Sequence, residues 1–267
     1  MLKQRILTAV VLAPLALIAL FGLPQAWFVW VLAAVFLYGG LEWANLCQLS
    51  KMGTALLLAA MSGLMWGLLA LPQLAQLSVW LAVVFWGVAL ALVLGYPGTA
   101  QWCRKPARIL MGLVVLVPAW YAMLDIRAGE GGLGMLLMLL LLVWGADIGA
   151  YAAGKNFGRN KLLPAVSPGK TREGLWGGLL TCVLIGLGFA VWLELSLWVG
   201  VQLAVLALLT GMASVLGDLL ESMLKRERGI KDSGRILPGH GGILDRIDSL
   251  TAAAPVFAVG LALIWGY

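Results

Sequence analysis

Long apolar runs, broken by short polar connections, fill the chain at about residues 6–23, 26–46, 54–71, 77–95, 107–124, 131–151, 174–193, 197–220 and 247–266. Each is close to the ~20 residues an α-helix needs to cross ~30 Å of hydrocarbon. The pattern predicts an all-α integral membrane protein with about nine transmembrane helices. The weakest boundary is Leu193-Glu194-Leu195-Ser196; fusing the seventh and eighth runs there would leave eight. The first run follows Lys3 and Arg5 and resembles a signal peptide. It is long for one, and no small-x-small cleavage site follows Pro24, so it reads as a retained first helix.

Charge placement orients the helices. With nine spans and a cytoplasmic amino terminus, the inner segments are the amino-terminal tail and the regions near 47–53, 96–108, 152–173 and 221–246. Of the 18 lysines and arginines, only Arg127 falls elsewhere. The positive-inside rule favours this arrangement and puts the carboxyl terminus in the periplasm. Fusing the seventh and eighth runs would set the two long basic loops, 152–173 and 221–246, on opposite faces. Residues 1–125 then hold about five amino-terminal helices, and residues 126–267 hold the region bearing both loops.

Composition agrees. Hydrophobic residues make up 62% of the chain and charged residues 11%, against roughly 25% charged in soluble domains. The net charge of +6 is a topology signal with some attraction to anionic headgroups, and nucleic acid is not an expected partner. Cys47, Cys103 and Cys182 have neither metal-ligand nor disulfide spacing and read as packing residues.

Polar residues concentrate at the ends of the later helices. Asp218, Glu221, Ser222 and Lys225 lie at offsets of 0, 3, 4 and 7 and share one helical face. Asp245 and Asp248, three apart, share a face of the next helix. If the two helices are neighbours, four carboxylates converge, a hard-oxygen set that suits Mg²⁺ better than zinc. The same residues also read as caps and surface ion pairs. Pro238-Gly239-His240-Gly241-Gly242 is a turn with exposed amides, either a phosphate cradle or a hinge, and His240 either a phosphate donor or a turn residue. Ser167-Pro168-Gly169-Lys170-Thr171-Arg172 ends like a P-loop, but Pro164 stands where the first glycine would be and no strand is expected before it. It also matches SxxK without that motif's companions. It is suited to holding a phosphate at a helix start, or to anchoring the inner face. Asp147, at the edge of an apolar run, needs a partner such as a lysine of that loop or a metal. Glu42, in the second run, reads as a polar contact.

The pattern Ser222-x-Leu224-Lys225-Arg226-x4-Lys231-Asp232-x-Gly234-x2-Leu237-Pro238-x-His240-Gly241-Gly242-Ile243-x-Asp245-Arg246-Ile247-Asp248 resembles the signature of the phosphatidate cytidylyltransferases (CDP-diacylglycerol synthases), without departure. Trp144–Tyr151 and Ser167–Gly174 also look like that family. The amino-terminal helices match only as generic apolar spans. The resemblance implies that CTP and phosphatidic acid give CDP-diacylglycerol and pyrophosphate, with Mg²⁺ required, in a homodimer of the bacterial inner membrane whose site faces the cytoplasm. It also implies metal and catalytic roles for Asp218, Asp245 and Asp248. The expected metal set is these three with Glu221, and a second, monovalent cation is left open. Lys225, Arg226, Lys231, Asp232, His240, Asp245 and Asp248 form the expected catalytic set. The expected substrate contacts are Asp147, Ser167, Lys170, Thr171, Arg172, Ser222, Gly239, Gly241, Gly242 and Arg246. The competing reading is a transporter or flippase with an acidic site. It predicts mid-membrane polar residues and broken helices in both halves, whereas the acids here cluster at one end.

Overall fold

The computed structural model describes residues 14–100, 104–237, 239 and 241–266. Much of the first expected span, with Lys3 and Arg5, lies outside them, as do Cys103, Pro238 and His240. Residues 14–22 are helical (α1). Then follow α2 (Gln25–Leu46), α3 (Lys51–Ala70), α4 (Pro72–Leu94), α5 (Lys105–Ala128) and α6 (Gly132–Phe157). A two-stranded hairpin, β1 (Lys161–Leu163) and β2 (Ser167–Thr171), precedes α7 (Arg172–Trp192), α8 (Leu197–Arg228) and α9 (Leu244–Trp265). Among the described residues, eight helices, α2 to α9, are long and apolar enough to cross a membrane. The chain is an all-α, multi-pass membrane protein whose only sheet among these residues is the small hairpin.

Helix ends follow local chemistry. Ser50 caps α3 by accepting from Gly53 N, and Thr171 caps α7 by accepting from Gly174 N at 3.1 Å. Pro72 and Pro106 occupy first-turn positions, where the missing N–H costs nothing. The weak break after Leu193 is real: α7 stops at Trp192, and Ser196 opens α8 by accepting from Val199 N. The hairpin departs from expectation, because the Pro-Gly composition of 164–169 reads as plain loop. The loops are also shorter than expected. α6 continues to Phe157 and α8, at 32 residues, to Arg228, so the second loop narrows to 229–243.

α7 packs on both α6 and α8, and α8 lies along α9. Without a hydrophobic drive between helices in lipid, close contact needs small residues. Gly217 of α8 faces Asp248 and Ser249 of α9; a Cβ there would run into the Asp248 carbonyl and lie 3.1 Å from Ser249 Cα. That approach sets Asp218 beside Asp248. Between α2 and α5, Trp43, 1% exposed, donates its Nε1–H to Arg108 O at 2.8 Å.

Cys47 and Cys182 are buried and free. Burial pushes the Cys47 thiol up to about 11, against the pull of Arg108 and Lys105 and of a hydrogen bond with Trp43. It stays protonated through neutral pH, and the thiolate is the reactive form. Maleimide labelling of Cys47 in a variant with serine at Cys103 and Cys182 should therefore stay slow below pH 9 and become fast on denaturation. Fast labelling at pH 7 would contradict the burial.

Candidate active site

One end of the bundle collects the charges the sequence singled out. α8 brings Asp218, Glu221, Ser222, Lys225 and Arg226; α9 brings Asp245, Arg246 and Asp248; α6 brings Asp147; the hairpin brings Ser167, Lys170 and Thr171. Asp218 Oδ2 pairs with Lys170 Nζ at 2.6 Å, and its Oδ1 accepts from Ser222 Oγ at 3.1 Å. Lys170, Asp218 and Arg246 are the charged neighbours of Asp147. Of the bases around Asp147, Lys170 acts on it most strongly, although the ion pair that Lys170 makes is with Asp218.

Lys225 lies between acids of two helices. Its ammonium is 3.0 Å from Glu221 Oε2 and 2.7 Å from Asp245 Oδ1. Its side chain is 11% exposed, and those partners are 2% and 6% exposed. In such a dry setting an unpaired charge is costly, so pairing is required. The other oxygen, Asp245 Oδ2, accepts from Ser233 N at 2.9 Å, Ser233 Oγ at 2.9 Å and Gly242 N at 2.7 Å. Asp245 thus organises the loop as well as facing the site.

Asp248 lies against Glu221, whose Oε1 is buried without a hydrogen-bond donor. Carboxylates facing one another need a shared proton or a cation between them, and for a metal the donors are the hard oxygens Mg²⁺ takes. Among the described residues no three of these acids converge on one point; the Lys225 ammonium stands between Glu221 and Asp245, and Lys170 is paired with Asp218. The donor chemistry suits the metal, with the lysines now supplying the neutralising charge.

A cleft of about 370 Å³ opens beside this cluster, lined by Asp147, Tyr151, Lys155, Lys170, Thr171 and apolar residues including Leu175 and Val215. A larger cavity of about 600 Å³ lies at the other end of the bundle. Its lining holds the acids Asp125 and Glu130 and no base, so it cannot neutralise a phosphate. The remaining expected residues do not line the first cleft. Arg226 Nε donates to Val166 O at 3.2 Å and fastens the hairpin to α8. Lys231 and Asp232 are exposed in the loop, and Arg172 is exposed at the start of α7. Gly239 and Gly241 take positive φ, while the Gly242 amide is engaged by Asp245 and is not available to a phosphate.

The model of the cytidylyltransferase family matches residues 3–264. The chain belongs to the cytidylyltransferase family. Similar proteins include the phosphatidate cytidylyltransferase of Pseudomonas aeruginosa, 46% identical over 99% of this chain and 97% of that protein. That of Haemophilus influenzae is 40% identical over 97% of this chain and 98% of that protein. The uncharacterized protein YnbB of Escherichia coli is 46% identical over 52% of this chain and 46% of its own length. In this cytidylyltransferase the charged cluster, the cleft and the hairpin form one assembly. One contributor escapes a reading of the sequence. Ser233 looks like a loop serine, yet it contacts two carboxylates. Glu42, which reads from the sequence as a polar contact in an apolar run, is one, with partners about 200 positions away.

Proposed function

We propose that the protein transfers the cytidylyl group of CTP to phosphatidic acid, releasing pyrophosphate and leaving CDP-diacylglycerol for phospholipid synthesis. The observation that carries this reading is the set of carboxylates on α8 and α9 interleaved with Lys170 and Lys225 beside a cleft. An anionic phosphatidate oxygen attacks the anionic α-phosphorus of CTP, and the bond from that phosphorus to the bridging oxygen of pyrophosphate breaks. Catalysis is then chiefly charge neutralisation and alignment. A strong general base is unnecessary, because a phosphomonoester is largely ionised at pH 7 (second pKa ~6).

Lys225, with Arg226 and Lys231, offsets charge on the leaving pyrophosphate. Ser167, Lys170, Thr171 and Arg172 hold a substrate phosphate, with Asp147 and Arg246 orienting Lys170 and the nearby Asp218. Asp218, Glu221, Asp245 and Asp248 are the residues that would hold Mg²⁺, which would supply further neutralisation of the triphosphate. The distribution of basic residues supports a nine-span arrangement with the amino terminus and the site in the cytoplasm, in the bacterial inner membrane, and we assign the working form as a homodimer. Residues 126–267 carry the chemistry in this reading, and residues 1–125 support it.

The direct test is pyrophosphate release by purified protein in lipid nanodiscs. Release that requires phosphatidic acid, CTP and Mg²⁺ together is the expected result. Well-folded protein that releases none across several lipids and nucleotides would sink the reading and revive a transporter.

A further inference from the structure

Glu42 is 4% exposed within an apolar helix, where a carboxylate is expensive unless it is used. Its Oε2 accepts the backbone N–H of Leu244 at 2.7 Å. Leu244 is the first residue of α9, and α9 has no side-chain cap from its own N-cap residue. The first amides of a helix lack intrahelical partners, and negative charge is favoured there. A residue of α2, 202 positions earlier, therefore closes the start of α9. The Ser233 hydroxyl lies 3.1 Å from Glu42 Oε2 and 2.9 Å from Asp245 Oδ2, so its one proton is shared between the two carboxylates. Gly234 and Gly242 flank Glu42, and a Cβ on either would run into its carboxylate. One turn on, Asn45 Nδ2 donates to Ser233 O at 3.4 Å, and Arg228 Nε donates to Asn45 O at 3.3 Å. The end of α2 holds the 229–243 loop at several points.

We propose that Glu42 is a positioning residue for the transfer reaction: it fixes the start of α9, and with it Asp245 and Asp248, against the loop that carries the remaining charges. The proposal rests on the cytidylyltransferase reading, and its physical core is separable from that reading. Glutamine at position 42 keeps an acceptor oxygen for Leu244 N–H; alanine removes it.

The experiment uses the full chain in nanodiscs with Glu42→Gln, Glu42→Ala, Ser233→Ala and the double variant Glu42→Gln/Ser233→Ala. Glu42→Ala should lower kcat about a hundredfold, the scale of a small misplacement of reacting groups, with a much smaller change in KM for CTP. Glu42→Gln should retain activity within about two- to fivefold, the scale of losing a charge at a helix start. Without any substrate, hydrogen exchange at residues 242–247 should quicken by about tenfold in Glu42→Ala, the factor for ~1.4 kcal/mol of lost protection, while residues 212–220 of α8 keep their protection. Glu42→Gln and Ser233→Ala should be non-additive, as expected of groups in one network. Exchange at 242–247 that matches wild type in Glu42→Ala would overturn the proposal. So would glutamine as damaging as alanine, or strictly additive Glu42→Gln and Ser233→Ala effects. Should Glu42→Ala fail to fold, Glu42→Gln and Ser233→Ala decide through that additivity. If wild-type protein releases no pyrophosphate, the functional reading falls, and the exchange result still decides whether Glu42 caps α9.

Discussion

Asp245→Ala should release pyrophosphate about a thousandfold more slowly than wild type, at the upper end of what loss of one preorganised electrostatic group costs. Two things leave with the carboxylate. Oδ1 holds the Lys225 ammonium at 2.7 Å, and Oδ2 holds Ser233 N, Ser233 Oγ and Gly242 N. Lys225 would keep only Glu221, in a setting where breaking a buried pair costs about 3 kcal/mol, so thermal stability in detergent should fall as well. Asp245→Asn separates the two contributions. Its amide oxygen can still accept from the loop, so the protein should melt above the alanine variant though below wild type, while the lost charge leaves Lys225 misplaced and the rate nearly as low as in alanine. The comparison needs saturating CTP and a melting curve for each variant. An asparagine variant with near wild-type rate would remove Asp245 from the charge-neutralising set and leave it a loop organiser.

Gly217→Ala carries the second large effect, although it adds a single methyl group to an apolar helix. The new Cβ meets the Asp248 carbonyl and the Ser249 backbone, neither of which can rotate away. α8 and α9 must separate at the level of Asp218 and Asp248. Overpacking of this kind costs about 1–3 kcal/mol, and misplacing reacting groups by about 1 Å can cost 10²-fold in rate. Gly188→Ala in α7 is the matched control, because its Cβ meets nothing within 4 Å. Activity should fall about a hundredfold in Gly217→Ala and stay unchanged in Gly188→Ala. Equal behaviour of the two would mean that the close approach of α8 to α9 does not govern the site.

The spans were legible because hydrocarbon thickness imposes a length, and the expected runs match α2 to α9 to within a few residues except where charged turns extend a helix. The apolar run of α8 stops at 220, and the spacing of Asp218, Glu221, Ser222 and Lys225 carries the helix past it; the helix runs on to Arg228, with Lys225 paired to Glu221 and Arg226 bonded to the hairpin. The β1–β2 hairpin was not legible: strands of 3 and 5 residues carry too little periodicity to stand out. In the site, the shared face of Asp218, Glu221, Ser222 and Lys225 could be read from spacing. That a lysine stands between the acids of α8 and α9 could not, since it depends on how the helices approach. Glu42 marks the limit most clearly, because its partners enter only when α2, the loop and α9 meet.

The length of α8 has a kinetic consequence. At 1.5 Å per residue, its 32 residues span roughly 48 Å, against ~30 Å of hydrocarbon. A helix beginning at one interface reaches Asp218 after roughly 32 Å, at the level of the opposite headgroups. The reacting phosphate of a lipid already lies in that layer, so the diacyl substrate need not be lifted from its leaflet. Turnover should then track the mole fraction of phosphatidate in the membrane plane rather than its amount per unit volume. Diluting that lipid with inert phospholipid would slow the enzyme at constant bulk concentration, while adding more vesicles of the same composition would leave its per-molecule rate unchanged.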